Sequence, residues 1–143
     1  MKRIAFILAF FFAAIVSHAE ESFITFGELP KNAKIFILSH FKETPIKQIQ
    51  IERRASLTQY EVELEGDIDL QFDRTGLCTE INCKNSAVPE AIIPVKILDT
   101  VKQHFPKSYI QKYEHNGRMY EIELSSSIVL TFSNTFRLVD IDK

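Results

Sequence analysis

The chain has 143 residues, of which 45% are hydrophobic and 25% charged, and its formal net charge is −2. A weakly acidic chain lacks the basic surface that nucleic-acid binding requires, so we expect no nucleic-acid partner. The length is sufficient for one ordinary domain with its own hydrophobic core.

Residues 1–19 have the pattern of a secretory signal peptide. Lys2 and Arg3 precede a 13-residue apolar run at 4–16, and small residues follow at Ser17 and Ala19. A membrane span needs roughly 18 or more apolar residues, so we predict cleavage after Ala19 and no membrane span thereafter. Cleavage removes two basic residues and no acidic one, which takes the formal net charge from −2 to −4. The predicted location is periplasmic or secreted.

The rest of the chain contains an internal repeat. YEVEL at 60–64 returns as YEIEL at 120–124, and the dipeptide His-Phe occurs at both 40–41 and 104–105. A recurring pattern of this length indicates two copies of one structural unit. We predict a single domain over 20–143, made of repeat 1 (24–83) and repeat 2 (88–142).

Each repeat is predicted to contain one helix and then four short strands. The helices begin at Pro30 and Pro94, since proline suits the first helical position, and 88–91 is a candidate for one further helical turn. Ile97, Val101 and Phe105 recur every four residues, which is typical of an amphipathic helix. The residues at 73–76 predict a turn, and the Asn-Gly pair at 116–117 predicts a β-hairpin.

The strands alternate between apolar and polar residues. Tyr60, Val62 and Leu64 would face one side, and the glutamates between them the other. One unit of about 55 residues would be marginal alone, whereas two units that join their sheets bury a continuous core. The predicted fold is therefore α+β, with two tandem α-β4 repeats. They would form one antiparallel sheet of about eight strands, with the helices on one face and the other face open.

This pattern resembles the PepSY-like periplasmic proteins, whose fold is similar to that of the β-lactamase inhibitor protein. The matching stretches are LPKNAKIFILSHF with YEVELEGDIDLQFDRTG and IPVKILDTVKQHFP with YEIELSSSIVLTF. The sequence departs from this family pattern in the last turn, where Phe136 replaces the expected glycine. It implies a secreted module that acts by binding, as an inhibitor or chaperone-like partner, and not by catalysis.

The open sheet face supplies the candidate binding site. Its acidic residues share one face if the alternation holds, and two arginines lie in a predicted loop at 53–58. Such a face is either a solvated surface that resists aggregation, a surface for a basic partner, or a site for a hard cation such as calcium. The candidate residues are Glu61, Glu63, Glu65, Asp69, Glu121, Glu123, Arg53 and Arg54.

The sequence carries no recognisable catalytic or cofactor motif. His40 and His104 recur at equivalent helix ends, where they complement the helix dipole. No zinc-ligand spacing, nucleophile elbow or glycine-rich phosphate loop is present, so we predict no metal site and no cofactor. Cys78 and Cys83 cannot pair with each other if they lie on one strand, because extended residues five apart span about 16 Å.

The predicted function is a non-catalytic secreted or periplasmic protein-binding module that binds through the open sheet face, and the resemblance implies an inhibitor-like role as one form of it. Its expected partner is another secreted or envelope protein or a peptide, and its expected state is a monomer or weak dimer. Two alternatives stay open. One is a calcium-binding envelope protein that uses the acidic sheet face, and the other is a hydrolase with an unrecognised site.

Overall fold

The computed structural model describes residues 20–143, and the predicted signal peptide at 1–19 lies outside the described residues. The helices are α1 (Lys31–His40) and α2 (Val95–His104), each preceded by a short 3-10 turn at Phe26–Glu28 or Glu90–Ile92. The strands are β1 (Glu20–Phe23), β2 (Ile46–Arg54), β3 (Leu57–Leu64), β4 (Ile68–Asp73), β5 (Cys78–Cys83), β6 (Ile110–His115), β7 (Met119–Leu124), β8 (Val129–Ser133) and β9 (Leu138–Asp142). Neither described helix is long and apolar enough to cross a membrane.

All nine strands form one antiparallel sheet whose spatial order follows the chain order from β1 to β9. Turns join most neighbours, whereas α1 connects β1 to β2 and α2 connects β5 to β6. The α+β class is confirmed, but the predicted number of about eight strands is one too few. The missed strand is β1, whose four residues pair with 50–53 of β2. The sequence EESF of β1 shows no apolar alternation, so the strand could not be predicted from it. An edge strand can be held in a sheet by backbone hydrogen bonds alone.

Both helices begin where the prolines predict. Pro30 and Pro94 cap α1 and α2, and each helix ends at a histidine. Ala33 and Ile37 of α1 are buried, as are Ile97 and Val101 of α2. The buried face of each helix therefore follows the four-residue spacing seen in the sequence.

One continuous core joins the two repeats. The buried residues of both helices belong to the same apolar cluster as the inner face of the sheet, so both helices cover that one face. Phe72 and Phe132 occupy equivalent positions in β4 and β8, and both are fully buried. In the described part of the chain no polar or charged residue is buried, which leaves the core entirely apolar.

Side-chain hydrogen bonds fix two of the predicted turns. One carboxyl oxygen of Asp73 accepts hydrogen bonds from the backbone amides of Thr75 at 2.8 Å and Leu77 at 3.1 Å. In repeat 2 the amide oxygen of Asn116 accepts from the backbone amides of Arg118 and Met119, both at 3.0 Å. These bonds replace backbone partners that a tight turn leaves unpaired.

The last turns of the two repeats differ in the residue that takes a positive φ. Gly76 has a φ of +84°, and a Cβ built there would lie 2.7 Å from the backbone nitrogen of Ala33, so only glycine fits. Its counterpart Phe136 also has a positive φ, of 65°. The Phe136 ring packs 5.4 Å from the ring of Tyr120, and this contact helps to hold a backbone conformation that L-residues rarely adopt.

The prediction of a loop at 53–58 is wrong. Arg53 and Arg54 are the last residues of β2, β3 begins at Leu57, and only a two-residue turn separates the strands. The four extra residues of repeat 1 lengthen both strands of this hairpin instead of forming a loop. The added length of β2 also provides the pairing partners of β1, since Arg53 lies opposite Glu20.

The two repeats end in different surroundings. Ile81 of β5 and Ile141 of β9 are equivalent and lie opposite Leu70 and Leu130, respectively. Ile81 is 0% exposed, because β6 and repeat 2 continue the sheet beyond it, whereas Ile141 is 44% exposed at the edge. One sequence position therefore has a core role in repeat 1 and a surface role in repeat 2.

This difference predicts unequal effects of the same substitution. Ile81→Ala should lower the free energy of unfolding by about 2–5 kcal/mol, because it leaves a cavity in a packed core. Ile141→Ala should lower it by less than about 1 kcal/mol, because the side chain is already half in water. Urea unfolding followed by circular dichroism measures both. Equal losses would show that β5 and β9 are packed alike.

Candidate functional site

The candidate site is the outer face of the sheet, opposite the helices. Residues that lie directly opposite each other on antiparallel strands project from the same face. The strand register places two unbroken rows on this face. The central row runs across β1 to β9 through Phe23, Gln50, Glu61, Gln71, Glu80, Glu114, Glu121, Thr131 and Asp140. The flanking row runs across β2 to β9 through Gln48, Glu63, Asp69, Asn82, Lys112, Glu123, Val129 and Asp142.

The predicted acidic residues lie on this face in two groups. Glu61, Glu63 and Asp69 lie together on β3 and β4, and Glu121 and Glu123 lie on β7. Four strand spacings separate β3 from β7, or about 19 Å. The two groups are therefore separate patches of one surface. Glu65 belongs to neither, because it lies in the turn after β3.

Residues that the sequence reasoning did not select connect the two groups. Glu80 of β5 and Glu114 of β6 are opposite each other in the central row, and Glu121 lies next to Glu114. Three carboxylates thus follow one another on adjacent strands. The sequence indicates the outward position of these residues only weakly, because neither β5 nor β6 alternates cleanly between apolar and polar residues. The two strands also pair over only three residue pairs.

Lys112 partly compensates this run of carboxylates. Its ammonium lies 3.3 Å from a carboxyl oxygen of Glu80 and 3.7 Å from one of Glu114. Partial burial opposes the charged form of Lys112, but the attraction of Glu80, Glu114 and Glu121 outweighs it and raises the pKa. Lys112 is therefore a positive charge that the surrounding acidic residues hold on the sheet face.

The flanking row is compensated in the same way on its β3 and β4 side. Lys84 lies 2.8 Å from Asp69, and Lys47 lies 3.4 Å from Glu63. Gln48 also donates a hydrogen bond of 2.9 Å to Glu63. Most of the unbalanced negative charge therefore lies along the central row.

The two predicted arginines point to opposite sides of the sheet. Arg54 has the same strand parity as Glu52 and forms an ion pair with it on the outer face. Arg53 has the parity of the buried residue Ile51 and lies opposite Glu20 and Thr58. Arg54 therefore belongs to the candidate face and Arg53 does not.

Glu61 is a carboxylate of the outer face whose pKa is raised. Desolvation raises the pKa of Glu61, and the negative charges of Asp69, Glu52 and Glu63 raise it further. Among the ion pairs of residues 20–143, none includes Glu61. The folded chain thus disfavours the ionised form of Glu61, because burial and acidic neighbours both oppose its charge.

A shallow cleft interrupts the outer face at the junction of the two repeats. It has a volume of about 270 Å³ and opens where β5 and β6 diverge beyond their three paired residues. Its lining includes Gln59, Gln71, Glu80, Glu114 and His115. The cleft is large enough for one side chain of a partner, and three carboxylates line it, those of Asp73, Glu80 and Glu114.

Other chemically interesting residues do not form a site within the described range. No group of three or more histidine, cysteine, aspartate or glutamate side chains there is arranged to hold a metal ion. His40 packs against Phe36 with ring centroids 4.8 Å apart, and His115 stacks on Tyr120 at 4.1 Å. Both imidazoles therefore have aromatic packing partners.

The two cysteines are free thiols at opposite ends of β5. Burial raises the pKa of Cys78 to about 12 and also raises the pKa of Cys83. At neutral pH both sulfurs are therefore protonated, and a protonated thiol is a poor nucleophile.

Fold and surface together define a class of protein: a tandem-repeat α+β module with one sheet face covered by helices and the other open and acidic. Two overlapping segments, residues 16–79 and 69–140, match the family described as "Putative beta-lactamase-inhibitor-like, PepSY-like". The chain belongs to this PepSY-like family. No curated protein is a significant match to the sequence.

Three crystal structures are similar over most of the chain. A "putative calcium-regulated periplasmic protein" from Bacteroides thetaiotaomicron is 32% identical with a TM-score of 0.84, covering 86% of this chain and 97% of its own. A periplasmic protein of the DUF2874 family from Bacteroides vulgatus ATCC 8482 has the same identity and TM-score, with coverages of 87% and 98%. Another periplasmic protein from that strain, of unknown function, is 28% identical with a TM-score of 0.82, with coverages of 87% and 100%. These likenesses support a periplasmic location.

The raised pKa of Glu61 predicts a stabilising substitution. Because the folded state disfavours the ionised carboxylate, its contribution to stability falls as pH rises through the raised pKa. Glu61→Gln should therefore raise the melting temperature at pH 7, by about 1–3 °C, and should have little effect below pH 4, where Glu61 is protonated in both states. Scanning calorimetry at both pH values measures this.

Glu65→Gln is the matched control, because it removes the same charge in the turn beyond β3. Its melting temperature should stay within about 1 °C of the parent chain at both pH values. A lower melting temperature for Glu61→Gln at pH 7 would mean that Glu61 is a favourable charge in the folded chain.

Proposed function

We propose that the chain is a non-catalytic periplasmic module that binds a basic segment of another exported protein through its outer sheet face. The observation that carries the proposal is the central row, an uncovered line of residues across all nine strands with carboxylates on successive strands β5, β6 and β7. A surface of this extent is a suitable docking platform, because no helix of the described chain covers it.

The charge pattern supports a basic partner. Lysines compensate much of the flanking row, whereas Glu61 and Glu121 of the central row take part in no ion pair of the described residues. Burial and the repulsion of acidic neighbours raise the pKa of Glu61, and a partner that brings arginine or lysine would offset the repulsion. Binding would thus relieve an unfavourable charge arrangement, and complementary charge would also speed the encounter.

The cleft at the repeat junction supplies a place for an anchor residue. Interfaces derive most of their affinity from a few side chains that enter pockets. An arginine from the partner would meet the carboxylates of Glu80 and Glu114 there. Arginine is favoured over lysine, because its planar guanidinium can bond two carboxylates at once.

The absence of catalysis is part of this proposal. The two thiols have raised pKa values, the imidazoles of His40 and His115 pack on aromatic rings, and the carboxylates of the candidate site lie on an open face. A general acid needs an apolar pocket that raises its pKa strongly, and an open polar sheet does not supply one. A hydrolase with an unrecognised site would be supported by turnover of any substrate in a broad panel, provided that one substitution abolished it.

The binding proposal predicts a charge-dependent capture. The triple variant Glu61→Lys, Glu63→Lys and Glu121→Lys should lose the partners that the parent chain retains from an envelope extract, because it reverses the charge of the face. Immobilised chain, salt elution and mass spectrometry measure the retained proteins. The amount of recovered partner should fall more than tenfold, since several charge contacts change at once.

A second triple variant controls for net charge. Glu43→Lys, Glu90→Lys and Asp99→Lys make the same charge change at exposed positions on the helix side of the molecule. This variant should retain the same partners as the parent chain. If both variants lose them equally, net charge and not the outer face determines capture. If neither loses them, the outer face is not the binding site.

A second candidate function is a calcium response, which the description of the Bacteroides thetaiotaomicron neighbour favours. Calcium prefers six to eight oxygen ligands, and Glu80, Glu114 and Glu121 offer carboxylates on adjacent strands. Lys112 is an obstacle, because it lies among these carboxylates and would have to move. In this arrangement binding would need a shift of that lysine or oxygens from a partner.

Calorimetric titration with calcium tests this candidate. Binding through the central row predicts a saturable heat that Glu114→Gln weakens at least tenfold and that Lys112→Gln strengthens. Glu43→Gln, which lies outside the sheet, should change nothing. No heat at millimolar calcium would exclude the calcium-binding function.

A further inference from the structure

The outer edge of β9 is a second exposed feature, distinct from the sheet face. Within residues 20–143, β9 is the last strand of the sheet, and only β8 pairs with it. An edge strand presents a line of unpaired backbone amides and carbonyls, which can pair with a further strand. Val139 and Ile141 of this strand are 45% and 44% exposed, so the edge is also partly apolar.

The internal repeat shows how an equivalent edge is covered. β5 is the counterpart of β9, and β6 pairs with it in antiparallel orientation. In that pairing Glu80 lies opposite Glu114, Ile81 opposite Tyr113, and Asn82 opposite Lys112. The corresponding residues of β9 are Asp140, Ile141 and Asp142, for which no partner strand is described.

The buried residues at the end of repeat 1 show which contact is missing at β9. Ile81 is fully buried and Tyr113 opposite it is only 8% exposed, so the two side chains close the core at the repeat junction. Ile141 points to the same side of the sheet but remains half in water. A strand that carried a tyrosine-like residue opposite Ile141 would complete the core of repeat 2 as β6 completes that of repeat 1.

Charge specifies the outer side of such a strand. On β5 the outward residues are Glu80 and Asn82, and Lys112 of β6 lies 3.3 Å from Glu80. On β9 both outward residues are aspartates, which gives this edge one more acidic group than its counterpart. The partner strand that fits therefore has basic residues opposite Asp140 and Asp142 and a large apolar residue between them.

A second copy of this chain does not fit. Pairing of β9 with β9 of another copy would bring aspartates together, and like charges on opposed strands are destabilising. The other edge strand, β1, carries Glu20 and Glu21 and would also repel β9. On the core side β1 presents Ser22, opposite Ile51, so that edge has no unfilled apolar position.

We propose that the β9 edge binds an extended basic peptide by antiparallel strand addition, with an aromatic residue opposite Ile141 and lysine or arginine opposite Asp140 and Asp142. The backbone of the peptide continues the sheet as a tenth strand. Its aromatic side chain covers Ile141 on the helix side, and its two basic side chains lie on the outer face. This site shares Asp140 with the end of the central row and uses none of the row's carboxylates on β3 to β7.

The probe is a synthetic peptide with the sequence of residues 109–115 in which lysine replaces Glu114, blocked at both ends. Its control keeps Glu114 and carries Lys112→Glu. Residues 20–143, which hold the whole sheet and core, are titrated with each peptide and followed by amide resonances. The first peptide should shift the amide resonances of Leu138–Asp142, and these shifts should reach saturation. The control peptide should bind about three- to tenfold more weakly.

Two variants of the chain complete the test. Asp140→Lys should weaken binding of the basic peptide and strengthen binding of the control peptide, whereas Glu43→Lys, at an exposed position outside the sheet, should change neither. Several results would overturn the proposal: no shift at millimolar peptide, equal binding of both peptides, or shifts confined to the central-row residues of β1 to β7. A dimer that forms without peptide and that Asp140→Lys disrupts would instead assign the edge to a second copy.

Discussion

The structure depends on one apolar layer that neither repeat can complete alone. Each helix contributes a narrow buried stripe, and each four-strand unit contributes one apolar face. Only where β5 meets β6 do the two halves become a single core, through Ile81 and Tyr113. The pairing there extends over only three residue pairs, so side-chain burial and not backbone pairing carries most of the junction. The covered face holds the molecule together and leaves the opposite face free to vary.

Most of this architecture could be predicted from the sequence, because duplication and alternation are strong signals. The prolines placed both helices, and the Asn-Gly and Asp73 turns placed two hairpins. β1 could not be predicted, because its four residues contain no apolar period. The prediction of a loop at 53–58 was wrong, because the sequence shows where residues are inserted but not whether they lengthen the strands. Arg53 and Arg54 then fell on opposite sides of the sheet.

The candidate site was predicted in part. Alternation in β3, β4 and β7 was enough to place five glutamates and aspartates on one face. Alternation within a strand cannot show how strands are ordered, so the 19 Å separation of the two acidic groups required the topology. Glu80, Glu114 and Lys112 were missed, because the short pairing and the register shift next to β5 obscure which of their neighbours face the core. The exposed edge of β9 follows from the strand order, which places Ile81 inside the sheet and the equivalent Ile141 at its edge.

The agreement between chain order and sheet order bears on how this protein reaches its folded state. Every strand pairs with the strand that precedes or follows it along the chain, so no pairing requires distant segments to search for each other. Proteins dominated by such local contacts fold faster than those with long-range strand pairings. A chain that crosses a membrane from its N-terminus can therefore begin to pair β2 to β5 before the second repeat arrives, and the shared core is completed when β6 joins. The first half then offers its β5 edge as a template on which β6 can align.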